Sequence, residues 1–491
     1  MDEHGWVGRL AARRLRVRER ARPPAAADDV ARPAVTACPE ALDLAAEVGA
    51  VLLSNGAAAS EIVDLVLDIC MVAGLADVSV VVTYDQVIVS LEGEETFATV
   101  HSRVAPVRTR TYNFGTYTAT VELAQQYLTR QISEEQALTQ LRVPGRGRIW
   151  PRWVTTLAAG VTGFSAGIIF GAAPTAALLA SVAVMFSDLM FRSLARRRWP
   201  GFFIQMLVGA IAVLVASGGL LVVPGMNAYA VVVAVIIVAL AGMTVTGAVQ
   251  DAVTGWYLTG SVRVFEAVVK TVGLLVGIKA MAALIDIVNA PSVDPVVATP
   301  GALPPVATAA ATATMVLAFA VMAQTPFRGV VTAAVIGVAG HLVHTLVSSG
   351  DVGAVWPAAI AAVVIGILGA LAAPWVHIPF SALTSGAVLP LLPGLALLQG
   401  LMDTTMQTGV GALSTALGIA VGLATGVTLG GHLVTVVTGP WRTQDDRIYT
   451  PHFSEPVATL RERNALDHSP RVFTPRRARS SSGRGESSTG R

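Results

Sequence analysis

The sequence predicts an all-α polytopic membrane protein of about ten transmembrane helices, likened in design to two inverted five-helix repeats, with a small N-terminal α+β cytoplasmic domain ahead of them. Three observations point there. Residues 154–438 run as one apolar segment after another. Only 13% of the 491 residues are charged and 53% are hydrophobic, with a mean hydropathy of +0.63, whereas a soluble domain carries about 25% charged residues. Finally, the loops on one face of the chain lack Lys and Arg.

The net charge of +2 is uninformative, but its distribution is not. Residues 1–36 hold Arg, Ala and Pro without apolar periodicity and are expected to be a disordered basic N-terminus. No apolar stretch follows closely enough to make a secretory signal. Residues 37–145 read as the cytoplasmic domain. Apolar positions recur at helical spacing over Glu40–Leu53 and Ser60–Ala73, with Gly56 as the stop between them. The β-branched runs 78–83 and 86–91 flank Tyr84-Asp85 as a hairpin, and a further strand is expected within 97–107. Helices over 117–130 and 133–141 complete this part, the second with Ser133 as its N-cap. Cys38 and Cys70 have no CxxC or His partners and read as reduced thiols.

Pro144-Gly145 and Arg146, Arg148 and Arg152 mark the entry to the membrane. A span needs about 20 apolar residues. Ten are expected, at 154–172, 175–193, 203–223, 228–248 and 266–288 in a first membrane unit, and at 305–324, 329–348, 356–373, 381–399 and 411–438 in a second. Residues 440–491 form an Arg- and Ser-rich tail, expected to be disordered. Arg192, Arg196, Arg197, Arg198, Arg263 and Arg328 fall between spans on one side, while loops 217–227, 289–304, 349–355 and 400–410 contain no Lys or Arg. Positive residues stay in the cytoplasm, so both termini are expected inside, across the inner (plasma) membrane. Trp150, Trp153, Trp199, Trp256, Trp356, Trp375 and Trp441 lie near span ends, as interfacial anchors do.

A thin internal repeat accompanies the spans. Gly242 precedes Asp251 at the end of the fourth span, and Gly394 precedes Asp403 with the same spacing at the end of the ninth. An odd number of spans per half turns the second copy upside down, the inverted architecture of many secondary transporters.

Ionisable groups inside spans are costly and therefore functional candidates. They are Asp188 in the second span, Lys279 and Asp286 in the fifth, His341 and His344 in the seventh, and His432 in the tenth. Lys279 and Asp286 share a helical face and could neutralise each other, and histidine can carry a proton near neutral pH. The structural alternative for each is an interhelical hydrogen bond. The loop between the fourth and fifth spans gathers Gln250, Asp251, Thr254, Arg263, Glu266 and Lys270, with Glu266 and Lys270 a favourable i, i+4 pair. Pro390, Pro393 and Gly394 make the ninth span the candidate for a discontinuous helix. Glycines at four-residue intervals (Gly163, Gly167 and Gly171; Gly273 and Gly277; Gly418, Gly422, Gly426 and Gly430) read as helix-packing seams.

Other chemistry is disfavoured. Gly163-Phe164-Ser165-Ala166-Gly167 matches a nucleophile elbow but sits inside an apolar span. No phosphate-binding loop supports nucleotide coupling, and the paired histidines have no carboxylate or thiol at ligand spacing, so neither metal nor cofactor is expected. A membrane-anchored enzyme would use the N-terminal part, but Glu61, Asp64, Asp68 and Asp85, with His101 as the nearby base, read as a solvated helix face.

The run Leu53-Ser54-Asn55-Gly56-Ala57 leads through a helix to Gly74 and the strand pair 78–91, then to Arg110-Thr111-Tyr112-Asn113 and helices ending in Glu135-Gln136-Ala137-Leu138. A second run goes from Gly247-Ala248-Val249-Gln250-Asp251 through Gly255, Gly260 and Arg263 to Glu266-Ala267. In these runs, and in the order of head and two five-span units, residues 40–440 resemble the threonine/serine exporter family. The resemblance implies export of L-threonine and L-serine by proton antiport, driven by the proton-motive force. Relatives with the two units on separate chains are associated with dicarboxylate efflux, which stands as the alternative. The expected partners are the small-molecule substrate, protons and the lipid bilayer; nucleic acid is not expected, and a homo-oligomer is compatible. Asp188, Asp251, Arg263 and Glu266 are the first candidates for substrate or proton handling, with Lys279, His341, His344 and Asp403 behind them.

Overall fold

A computed structural model describes residues 38–75, 77–91, 101–107, 110–239, 242–291, 304–350, 352–394, 406–438 and 449–451, with 293, 396 and 400. Residues from Glu40 onward hold together as one unit. The head opens with α1 (Cys38–Ser54) and α2 (Ala59–Val72), the two amphipathic stretches of the sequence. Gly56 turns the chain between them at φ +96°, with the Tyr112 ring 2.8 Å from where a Cβ would stand, so no other residue fits. β1 (Val78–Val82), β2 (Gln86–Leu91) and β3 (His101–Pro106) form an antiparallel sheet in that order. Period-2 alternation buries Val78, Val80, Val82, Val87 and Val89 on one face. Gly49 of α1 lies close under that face, 3.0 Å from Val87 at its Cβ position.

α3 (Phe114–Leu128) starts earlier than periodicity predicts, because the Thr116 amide donates to the Asn113 side chain at 3.0 Å. α4 (Glu134–Leu141) starts at its expected cap, with Ser133 and Gln136 bonded reciprocally at 3.3 and 3.1 Å.

The first membrane unit comprises α5 (Arg152–Ile169), α6 (Pro174–Arg196), α7 (Gly201–Val222), α8 (Ala228–Ala239), α9 (Gly242–Val253) and α10 (Tyr257–Ile287). The second comprises α11 (Pro305–Met322), α12 (Phe327–Ser348), α13 (Val355–Val376), α14 (Phe380–Ala387), a 3-10 turn (Leu389–Leu391) and α15 (Met406–Thr438). Among the described residues, 7 helices are long and apolar enough to cross a membrane. The other three expected spans take other forms. The first, α5, carries Thr155, Thr156, Thr162 and Ser165 on a buried face, with Leu157 and Val161 exposed on the other. The fourth is described as α8 and α9, on either side of residues 240–241, which lie outside the described residues. The ninth is α14 and the 3-10 turn, then extended Leu392, with helix again at Gly394.

Small residues bring the spans together. On α10, a Cβ at Gly273 would stand 2.5 Å from the Phe202 carbonyl oxygen, and at Gly277 only 1.7 Å from that of Met206. Contacts rise together in number along both chains, so α7 and α10 run parallel. The same holds for α13 and α15, where a Cβ on Gly426 would stand 2.5 Å from the Ala359 carbonyl oxygen and one on Gly430 2.2 Å from that of Val363. Each unit repeats one set of neighbours: first span with second, second with third, third with fifth, second with fourth. Between units, α5 packs on α11 and α9 on α15. Leu178, Val182, Phe186 and Leu189 form an exposed apolar stripe on α6, as a lipid-facing helix requires. By contrast α8 is buried on every side from Ala228 to Ile237, which places it in the interior of the bundle.

Candidate functional site

The loop that the sequence marks as densest in polar groups docks onto the head. α9 ends near Asp251, the chain turns at Gly255 (φ +89°), and α10 carries Arg263 back alongside. Gly260 permits the approach, since its Cβ would lie 2.8 Å from the Ala248 carbonyl oxygen. Asp251 (0% exposed) and Arg263 (3%) form an ion pair at 2.8 Å. Each also reaches the start of α2: the Ala59 amide donates to Asp251 Oδ1 at 2.9 Å, and Arg263 Nη2 donates to the Ala57 carbonyl at 2.9 Å. The N-cap residue of α2, Ala58, has no side-chain acceptor for the exposed amides of the first turn. Asp251 supplies that acceptor from 192 residues away, at the positive end of the helix dipole.

A second layer flanks the pair. The Arg110 guanidinium lies 4.0 Å over the Tyr84 ring and donates to the Tyr84 carbonyl. Burial, together with the neighbouring Arg263 charge, pulls the Arg110 guanidinium below its ordinary pKa. The Tyr84 hydroxyl bonds Glu266, and burial and that carboxylate push the phenol up. Glu266 pairs with Lys270 at 2.7 Å, and Thr259 Oγ1 donates to the Val82 carbonyl at 3.1 Å.

The head also holds the second unit, through neutral groups. Tyr117 donates to Glu61 Oε2 at 2.5 Å and receives a hydrogen bond from Ser381 Oγ of α14 at 3.3 Å. The Phe114 amide donates to the Ala323 carbonyl at 2.9 Å. Gln324 accepts from the Ile149 and Trp150 amides, both at 2.9 Å, and donates to the Trp150 carbonyl at 2.9 Å. The first turn of α2, from Ala58 to Glu61, therefore lies in a polar thread running from Asp251 to Ser381.

Deeper in the bundle the fourth and ninth spans meet. A Cβ on Gly394 would lie 2.3 Å from Ile237 Cγ1, so the ninth span resumes against α8. There Gln205 of α7, 7% exposed, donates through Nε2 to the Ala239 carbonyl at 3.1 Å. Sequence reasoning passed over Gln205; a lone amide in a long apolar helix was its only signal.

The remaining expected residues are scattered. Asp188 is held by Arg192 at 2.9 Å and by Thr156 Oγ1 at 3.0 Å, tying α6 to α5. Lys279 and Asp286 are both exposed on α10, and among the described residues no ion pair joins them. Sharing a face does not suffice, because their separation along the helix axis is about 10 Å. His341 and His344 are half-buried on α12. Pro390 lies in the 3-10 turn, and Pro393 precedes the residue at which helix resumes. Asp403 and Trp441 lie outside the described residues. Ser165 is buried within α5, inside a helix rather than on a strand-to-helix turn. No group of three or more His, Cys, Asp or Glu among the described residues could hold a metal ion.

A head docked on a multi-pass helical bundle with an interrupted span is the build of a membrane transporter. Comparison with known proteins agrees: residues 43–285 match the family described as "Putative threonine/serine exporter", and residues 308–432 match "Threonine/Serine exporter, ThrE". The chain belongs to the threonine/serine exporter family. It is 29% identical over 409 residues to a "Probable threonine/serine exporter" of Mycobacterium tuberculosis, covering 80% of this chain and 76% of that one. It is 27% identical over 263 residues to a "Threonine/serine exporter" of Corynebacterium glutamicum, covering 51% of this chain and 52% of that one. No solved structure matches.

Proposed function

We propose that this chain exports small polar amino acids, L-threonine and L-serine first, from the cytoplasm by proton antiport. Its two five-helix units work as inverted repeats by alternating access, with both termini on the cytoplasmic side of the inner membrane. One observation carries the reading: the ninth span is interrupted inside the bundle and resumes with Gly394 seated on Ile237 of the buried α8. Broken helices present free backbone ends to a solute's charged groups, and inverted-repeat carriers bind their solutes at such places. The recurring neighbours and the parallel third-with-fifth packing of both units support the inverted relationship. Proton handling is assigned first to the head-side carboxylates Asp251 and Glu266. Asp188, Lys279, His341, His344 and Asp403 are lesser candidates, and Arg263 serves as the countercharge to Asp251.

A dicarboxylate would call for two cations together. Arg263 and Lys279 lie about 24 Å apart along α10, which disfavours that solute. The test is uptake into proteoliposomes containing the purified chain, with labelled threonine or serine under an imposed pH gradient. Gradient-dependent flux, insensitive to succinate, is expected. Flux of succinate in place of either amino acid would overturn the solute assignment, and flux indifferent to the pH gradient would overturn antiport.

A further inference from the structure

We infer that the head carries a binding site of its own for a free α-amino acid, in the cleft where α1, β3 and the end of α4 meet. The cleft has a volume of about 410 Å³, within the range of small-molecule sites. Four charged side chains line it. Asp43 and Glu47 stand about one turn apart on α1, Arg103 comes from β3, and Arg142 caps the C-terminus of α4. Arg103 pairs with Asp43, and Arg142 pairs with Glu47 through Nε at 3.0 Å and Nη2 at 2.5 Å. Each guanidinium thus reaches α1 from a different element. Between the charges the lining is apolar and includes Ala46, Ala50 and Ala105.

Two features select the ligand. The first is the balance of sign: two carboxylates and two guanidiniums leave the cleft neutral, which suits a zwitterion. A dicarboxylate would meet Asp43 and Glu47 wherever it met Arg103 or Arg142. The second is the bonding still open. Arg103 uses Nε toward Asp43 Oδ1, and among the described residues its two Nη groups have no partner, nor has Asp43 Oδ2. A guanidinium fork takes a carboxylate through two parallel bonds, and a carboxylate oxygen takes an ammonium. The charged groups of an α-amino acid sit on one carbon atom, so a single molecule engages both members of the Arg103–Asp43 pair. These side chains keep 45% and 37% of their surface exposed, so a ligand reaches them from solvent without opening the fold. The small apolar lining suits a short side chain, such as that of threonine or serine. The export reading supplies the probe, L-threonine, but the site rests on the head's own geometry.

Hydrogen exchange on the full chain in detergent, read by mass spectrometry over residues 41–52 and 101–107, tests the site. With L-threonine at about ten times its dissociation constant, exchange in both segments is expected to slow by up to about tenfold. N-Acetylthreonine and threonine methyl ester each lack one of the two charges, and both are expected to leave exchange unchanged, as is succinate. Replacing both members of the pair, Asp43→Asn with Arg103→Gln, is expected to abolish the slowing. Exposed pairs add little to stability, so this variant is expected to melt as wild type does. Should it melt lower, Arg103→Lys, which keeps the charge and loses the fork, is read in the same way. Exchange indifferent to L-threonine in wild type, or slowing that persists in the variant, would overturn the site. Slowing by succinate as strong as that by threonine would overturn its choice of a zwitterion. Slowing in the head of a chain that transports neither threonine nor serine would overturn the export reading and leave this site standing; transport without slowing would do the reverse.

Discussion

The head grips the two membrane units by different means. On the first unit it uses two charge-assisted hydrogen bonds, made by the two members of that unit's buried ion pair and converging on the start of α2. On the second it uses neutral bonds: Ser381 to Tyr117 at 3.3 Å and Phe114 to Ala323 at 2.9 Å, with Gln324 satisfied by the segment entering the membrane. The contrast has a physical consequence. A hydrogen bond to a charged group contributes about 1.5–3 kcal/mol, whereas a neutral one contributes about 1 kcal/mol. If the units move against each other during transport, the head will travel with the first and let go of the second. The bond that links them through Glu61 and Tyr117 is then the place where opening on the head side begins.

The largest expected effect comes from Asp251→Ala. It strands Arg263 without its countercharge and leaves the first turn of α2 uncapped, so we expect a loss of about 3–5 kcal/mol. Thermal unfolding in detergent should show it, and hydrogen exchange should quicken first at Ala59 and its neighbours. Replacing both partners, Asp251→Leu with Arg263→Met, should recover much of that loss, because no lone charge stays buried. A double variant as unstable as the single one would mean that the cap on α2, rather than the ion pair, dominates the first attachment.

Much of this arrangement was legible in the sequence. Asp251, Arg263 and Glu266 stood out because charged residues are rare in an apolar chain, and Gly255 and Gly260 marked a tight return. The parallel seams of α10 and α15 were visible as glycines at helical spacing. What Asp251 binds was not legible: its partner is a backbone amide, which every residue has, and Ala58 looks unremarkable until its missing cap is noticed. The ninth span was expected as a discontinuous helix, from Pro390, Pro393 and Gly394, but the first and fourth as plain ones, because hydropathy averages over a window. Such an average cannot register that α5 turns Thr155, Thr156, Thr162 and Ser165 to a buried face while Leu157 and Val161 stay exposed, or that α8 is buried on every side.

A smaller effect tests the thread itself. Tyr117→Phe removes both the donation to Glu61 and the acceptance from Ser381, so about 1 kcal/mol of stability should go. Alkali should mimic it. Burial, with Glu61 adding to it, holds the Tyr117 phenol well above its ordinary pKa of 10.0. A raised folded-state value means that this contribution is complete below pH 10.0 and fades as the pH climbs from there toward the folded value. In wild type the steepest loss of stability should therefore lie above pH 10.0, and Tyr117→Phe should lessen it. An unchanged alkaline profile would detach Tyr117 from the thread.

The smallest effect separates the two attachments most cleanly. Ser381→Ala deletes only the 3.3 Å bond from the second unit and leaves Tyr117 bonded to Glu61. The long bond puts the expected stability change at less than about 1 kcal/mol. Its effect on transport should be clearer than its effect on melting. Weakening the grip on the second unit favours the state open on the head side, so the apparent affinity for a solute arriving from that side should rise slightly, by less than about fivefold. Equal changes in affinity from Ser381→Ala and from the Asp251→Leu, Arg263→Met pair would show that the head releases both units together, and the asymmetry of its grip would have no part in the cycle.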